Sequence, residues 1–203
     1  MEIFNNLIQT LTTPNEELTN IICSPLIFVE MYVSMLLFTT ILNIKTTRKQ
    51  RIVYVLISSF WGLFSKLIIP APYSTIINLF ISPLLVYFLL KGSLLSSIVA
   101  QFIPAIITVV LESIFLKMYL IVFSLNLEES LTTALYKLPF ISFIYLIMFI
   151  IYIICKKFNL NINIFDNMSK RSKILLILNF IVGILAISMQ YYLIQFYNDT
   201  VPF

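Results

Sequence analysis

Two acids stand where acids are costly. Glu30 lies inside the apolar run Ile21–Leu42, about eight residues from its start and so roughly 12 Å deep along a helix. A charge at such depth costs about 2.5–3.5 kcal/mol on insertion scales, so it must face protein or a water-filled cavity. Glu112 lies near the end of a second run, Leu94–Leu116. Gln101, Ala105, Thr108 and Glu112 recur at i, i+4, i+7 and i+11, which is one face of a helix. Lys66 and Lys117 sit at other run ends, and Gln190 lies within a last run, Ile174–Phe196. Two uses fit this set. One is a polar ligand pocket lined by Glu30, Lys66, Gln101, Thr108, Glu112 and Gln190. The other is interhelical ion pairing, Glu30–Lys66 or Glu112–Lys117, that holds a bundle together.

Catalysis finds little to work with. The chain has no histidine and only two cysteines, so the usual general base is missing and no ordinary zinc ligand set exists. There is no Ser/His/Asp set, no Cys/His pair and no phosphate-cradling glycine loop. No catalytic residue, metal site or cofactor is expected, and the chain is not read as an enzyme.

Composition says what must position these residues. Hydrophobic residues make up 60% of the chain and charged residues 11%, and the mean hydropathy is +1.01. Soluble domains carry about 25% charged residues, so this chain cannot clothe a water-exposed surface. It reads as an all-α, polytopic membrane protein. Six transmembrane helices are predicted at Ile21–Leu42, Ile52–Ile69, Thr75–Leu90, Leu94–Leu116, Leu135–Cys155 and Ile174–Phe196, each near the length a bilayer needs. Met1–Leu11 places Ile3, Phe4, Leu7, Ile8 and Leu11 on one face and predicts an amphipathic, interfacial helix. Residues 1–20 are thus an external segment and 21–203 the membrane domain; the first twenty lack the basic and apolar regions of a signal peptide.

Local signals refine the borders. Thr13-Pro14-Asn15-Glu16 predicts a helix start, with Thr13 as cap and Pro14 in the first position. Asn126, followed by Glu128 and Glu129, predicts another. Pro70-Ala71-Pro72 and Lys91-Gly92 predict tight hairpins. Pro83 and Pro104, inside spans, predict kinks. Tyr54, Tyr73, Tyr119, Tyr136, Tyr191, Tyr192 and Tyr197 read as interfacial belt residues. Ser58-xxx-Gly62, Ser93-xxx-Ser97 and Ser96-xxx-Ala100 are pairs of small residues that let helices approach closely.

Charge orients the spans. The loop NIKTTRKQR, Asn43–Arg51, holds Lys45, Arg48, Lys49 and Arg51. The loops after spans three and five add Lys91, then Lys156, Lys157, Lys170, Arg171 and Lys173. Ten of the thirteen basic residues therefore fall on alternate loops, which the positive-inside bias assigns to the cytoplasm. Lys66, Lys117 and Lys137 lie on the other side, near span ends where a long stem can snorkel. Both termini are then extracellular. Cys23 and Cys155 face opposite compartments, which precludes a bridge between them. The net charge of +4 reads as contact with anionic lipid headgroups of the bilayer, not with nucleic acid. Codon-cheap Ile, Asn, Lys, Phe and Tyr point to a low-GC bacterium.

The opening segment, especially LTTPNEELT and FVEMYVSMLLFTTILNIK within residues 1–45, resembles the start of clostridial AgrC-like sensor histidine kinases. In that family a multi-span membrane region precedes a GHKL-type kinase core. The resemblance implies a sensor of an external signal, often a small peptide, working as a homodimer within a two-component, quorum-sensing-like system. This chain has no kinase core; one joined in cis beyond Phe203 would need a seventh span to reach the cytoplasm. An alternative is the six-span substrate-binding component of a vitamin-type importer, whose termini are expected in the cytoplasm. A peptide-processing protease of the accessory-regulator type would need the histidine this chain lacks.

Overall fold

The computed structural model describes residues 10–69 and 71–160, the side chains at 66, 67, 71, 72, 75 and 76 excepted. Its elements are all helical: α1 Glu16–Cys23, α2 Leu26–Ile41, α3 Arg48–Ile68, α4 Ala71–Leu90, α5 Leu94–Phe123, α6 Leu127–Thr132 and α7 Ala134–Lys157. Of the predicted amphipathic helix Met1–Leu11, only Thr10 and Leu11 are described, and both are helical. The predicted span Ile174–Phe196 lies outside the described residues.

The expected count of six spans is larger than the described helices carry by length and apolarity. Two of them, α5 and α7, are long and apolar enough to cross a membrane, and α1 with α2 makes a third if the bent pair is one span. For α3 and α4 the side chains at 66, 67, 71, 72, 75 and 76 lie outside the description, so the apolar stretch described in α4 is Ile77–Leu90.

Span one is not a straight rod. α1 and α2 meet at 52°, at Ser24-Pro25. Proline has no N–H to give and its ring displaces the preceding turn. Ser24 closes α1 by donating both its N–H (3.2 Å) and its Oγ (2.7 Å) to the Ile21 carbonyl. The chain restarts with tight i+3 bonds, Ile27 N to Ser24 O and Phe28 N to Pro25 O. By contrast α4 and α5 run on as single helices through Pro83 and Pro104.

Caps fix the other borders. The first helix starts two residues later than Thr13 predicts. Asn15 is its N-cap and accepts from Leu18 N at 3.0 Å. Asn126 caps α6 as expected, accepting from Glu129 N at 2.7 Å. The basic stretch Asn43–Arg51 is only partly a loop. Thr47 and Gln50 form a reciprocal capping box, so Arg48, Lys49 and Arg51 lie in the first turns of α3. Cations at a helix N-terminus oppose the macrodipole, so helix electrostatics do not explain their position.

Four helix ends close on a left-handed residue that is not glycine: Asn43, Lys91, Ser124 and Asn159. At the predicted Lys91-Gly92 turn the positive φ falls on Lys91. At Gly92 a Cβ would stand 3.1 Å from Ser97 Oγ, a tight contact to which the serine side chain would have to give way. After α5, Leu125 N donates to Leu120 O at 3.0 Å, a Schellman closure with Ser124 where glycine is usual. Left-handed backbone costs a β-carbon about 1 kcal/mol. Ser124→Gly is therefore expected to stabilise the chain by about 1 kcal/mol, read as a raised unfolding midpoint in micelles. A lowered midpoint would contradict the assignment.

The chain divides into two compact units. In the first, residues 10–41 and 102–160, α2 packs along α7, and α1 and α6 pack on α7 and on each other. Its core joins Val33 and Leu37 of α2, Leu111 of α5, and Ile144, Met148 and Cys155 of α7. Ile103, Ile107 and Phe115 extend the α5 stripe at helical spacing. In the second unit, residues 42–101, α3 packs on α4, and Val86, Leu90 and Ala100 are fully buried.

Polarity is arranged inside out. Ile106, Val109, Ile114, Met118, Ile121 and Val122 form an outward band on α5, with Ile121 68% and Val122 72% exposed. Thr19, Ser59, Ser65, Ser97 and Thr133 are buried. An exposed apolar band of that extent fits lipid and not water. It agrees with helices that cross a membrane.

Candidate functional site

The first unit builds its polar centre from helices that are otherwise apolar. Glu30 stands one turn into α2, four residues after the restart at Leu26. Tyr145 stands at the middle of α7, beside the buried Ile144. The Tyr145 Oη donates to Glu30 Oε2 at 2.8 Å, across the α2–α7 contact. That bond satisfies one carboxylate oxygen without a cation and holds the acid against α7.

α5 brings the next groups. Thr108 Oγ1 donates to Met148 Sδ at 3.2 Å, so this hydroxyl is spent on a core thioether one turn beyond Tyr145. Glu112, one turn further along α5, is exposed and stands within electrostatic reach of Glu30 and Tyr145. The arrangement is two carboxylates and a phenol on three helices of one unit. Two like charges near each other favour a cationic guest that relieves their repulsion.

Around this centre the end of the unit is tied down. Asn15 N and Thr19 Oγ1 both donate to the Thr132 carbonyl, at 2.9 and 2.6 Å. Lys137 Nζ donates to Asn20 Oδ1 at 2.8 Å. Tyr119 Oη donates to the Tyr136 carbonyl at 2.9 Å, with its ring against Phe123 and Phe140. α1 is thus fastened to α6 and to the start of α7, while Pro25 frees it from the axis of α2.

Of the six predicted pocket residues, Glu30, Thr108 and Glu112 belong to the first unit. Gln101 and Lys66 belong to the second. The Lys66 side chain and all of Gln190 lie outside the described residues. Neither Cys23 nor Cys155 is in a disulfide.

Sequence reasoning missed Tyr145, Trp61 and Asn78. Each had a signal: a hydroxyl, an indole N–H or an amide halfway along an apolar helix, where a partner is obligatory. Trp61 Nε1 donates to Asn78 Oδ1 at 2.7 Å. Asn78 Nδ2 donates to Ser65 Oγ at 3.1 Å, and Ser65 passes its own proton to the Gly62 carbonyl at 3.0 Å. This relay locks α3 to α4. Tyr54, predicted for the interfacial belt, is instead buried, with 3% of its surface exposed, because it faces Gln101 and Ser58 inside the second unit. Tyr73 is exposed, as a belt residue would be.

No protein-family model, curated protein or solved structure matches this chain.

Proposed function

We propose that this chain is the receptor module of a membrane sensor, of the two-component, quorum-sensing-like kind, that binds an external peptide or small molecule bearing a cationic group. The observation that carries the reading is the Tyr145–Glu30 hydrogen bond. It holds an acid in an apolar bundle with a phenol rather than a counter-charge, and Glu112 nearby adds a second negative group. A peptide amine or a basic side chain is the complement of that pair.

The orientation that makes the site external is part of the same proposal. In it the chain crosses six times, with α1–α2 as a broken first crossing and α3 and α4 as the second and third. Alternation of the basic loops supports this, with Lys156 and Lys157 closing α7 where the dipole welcomes them. The sensor acts as a homodimer, and a kinase core follows in cis where the full protein is longer.

Epitope tags before Met1 and after Phe203 test the orientation. Both are expected to be reached by antibody on intact cells. A C-terminal tag reached only after permeabilisation would overturn this reading and favour the importer alternative.

A further inference from the structure

The second unit holds buried hydroxyls that do something unusual. Several helical Ser and Thr side chains in this chain donate back to the preceding turn. Thr39 donates to Met35 O at 2.6 Å, Ser97 to Ser93 O at 2.9 Å, Ser113 to Val109 O at 2.7 Å and Thr132 to Glu128 O at 2.9 Å. Ser58 and Ser59 of α3 do not. Ser58 is 6% exposed and Ser59 0%, and neither Oγ has a hydrogen-bond partner; nor does Gln101 Nε2 of α5. The buried Tyr54 phenol lies within hydrogen-bonding reach of Gln101 and Ser58, which brings these three residues to one seam, with Ser59 the next residue along α3.

Each such atom left without a partner costs about 1–3 kcal/mol, and a seam with several is retained when something occupies it. The local charge says what kind of guest. Between Glu30 and Glu112 the sequence has no Asp or Glu, so residues 42–101 offer no counter-charge to a cation. The nearest described base on α3, Arg51, gives its Nε to Thr46 Oγ1 at 2.8 Å. Among the described residues, the polar groups placed here are hydroxyls, a phenol and an amide.

We propose that Tyr54, Ser58, Ser59 and Gln101 form a hydrated hydrogen-bonding site for a small uncharged solute, such as an alcohol or amide. It stands on residues of the second unit alone and does not depend on the receptor reading.

Cysteine accessibility tests it, in the full chain in membranes with Cys23→Ala and Cys155→Ala as background. Ser58→Cys and Ser59→Cys are near-isosteric; Phe60→Cys, at the same depth but 61% exposed on the apolar side, is the control. Thiolate is the reacting form, so a thiol in a dry or lipid setting reacts slowly. With neutral hydroxyethyl methanethiosulfonate, at least one seam position is expected to react 10-fold or more faster than Phe60→Cys. The sulfonatoethyl and aminoethyl reagents of similar size are expected to be at least 10-fold slower there than the neutral one. Rates at both seam positions no faster than the control would show a dry seam and overturn the site. Charged reagents matching the neutral one would overturn its selectivity for uncharged solutes. Gln101→Cys, held to the same criteria, replaces either position if that variant is not monodisperse on extraction.

Discussion

Glu30→Gln is expected to weaken binding of a cationic external peptide by 10- to 100-fold, while the chain still inserts and remains monodisperse. The substitution keeps the shape and leaves an amide oxygen to accept from Tyr145 Oη. What it removes is the negative charge, and hydrogen bonds to charged groups are worth about 1.5–3 kcal/mol, which sets that range. The probe is a pair of short peptides, one with a free N-terminal amine and one N-acetylated, titrated into the chain in nanodiscs. The wild-type chain is expected to prefer the free amine, and Glu30→Gln to lose most of that preference. An unchanged preference would remove Glu30 from the site. Tyr145→Phe separates positioning from charge: the carboxylate stays but loses its 2.8 Å anchor, so affinity falls with preference for the amine retained.

Asn78→Leu should give the largest loss of stability of any single polar change described. The amide serves two partners at once, accepting from Trp61 Nε1 and donating to Ser65 Oγ. Leucine matches its size but leaves the indole N–H without an acceptor between α3 and α4. The expected loss is about 2–3 kcal/mol, measured by unfolding in mixed micelles. Trp61→Phe removes the donor, so the double variant is expected to lose clearly less than the sum of the two single losses. Additive losses would mean the two side chains do not depend on each other.

The course of the helices was readable from apolar runs and their punctuation, because a helix in lipid must satisfy its backbone internally and so leaves long uncharged stretches. Thus α5 and α7 fall on two predicted spans, and Asn126 caps α6 where its side chain and the following acids require. The misjudged borders are those where two residues compete for one role. Asn15 caps in place of Thr13 because its own N–H is already tied to Thr132 across the unit, a contact that no local window contains. Arg48 and Lys49 read as loop residues because charge outweighs the Thr47–Gln50 capping box in any hydropathy count. Glu30 stood out as a buried acid, but its partner did not, since Tyr145 is 115 residues away. Tyr54 followed the general habit of tyrosines near span ends, and only the packing of α3 and α5 turns it inward.

The two units divide their chemistry in a way that bears on how the molecule answers its surroundings. Along residues 42–101 there is no Asp, Glu, His or Cys, and those are the side chains that ordinarily exchange protons between mildly acidic and mildly alkaline conditions. That stretch carries a nearly constant charge from mildly acidic to mildly alkaline conditions. Among residues 10–160, every glutamate and cysteine belongs to the other unit. One half of the described chain is a fixed electrostatic background against which the other half can change.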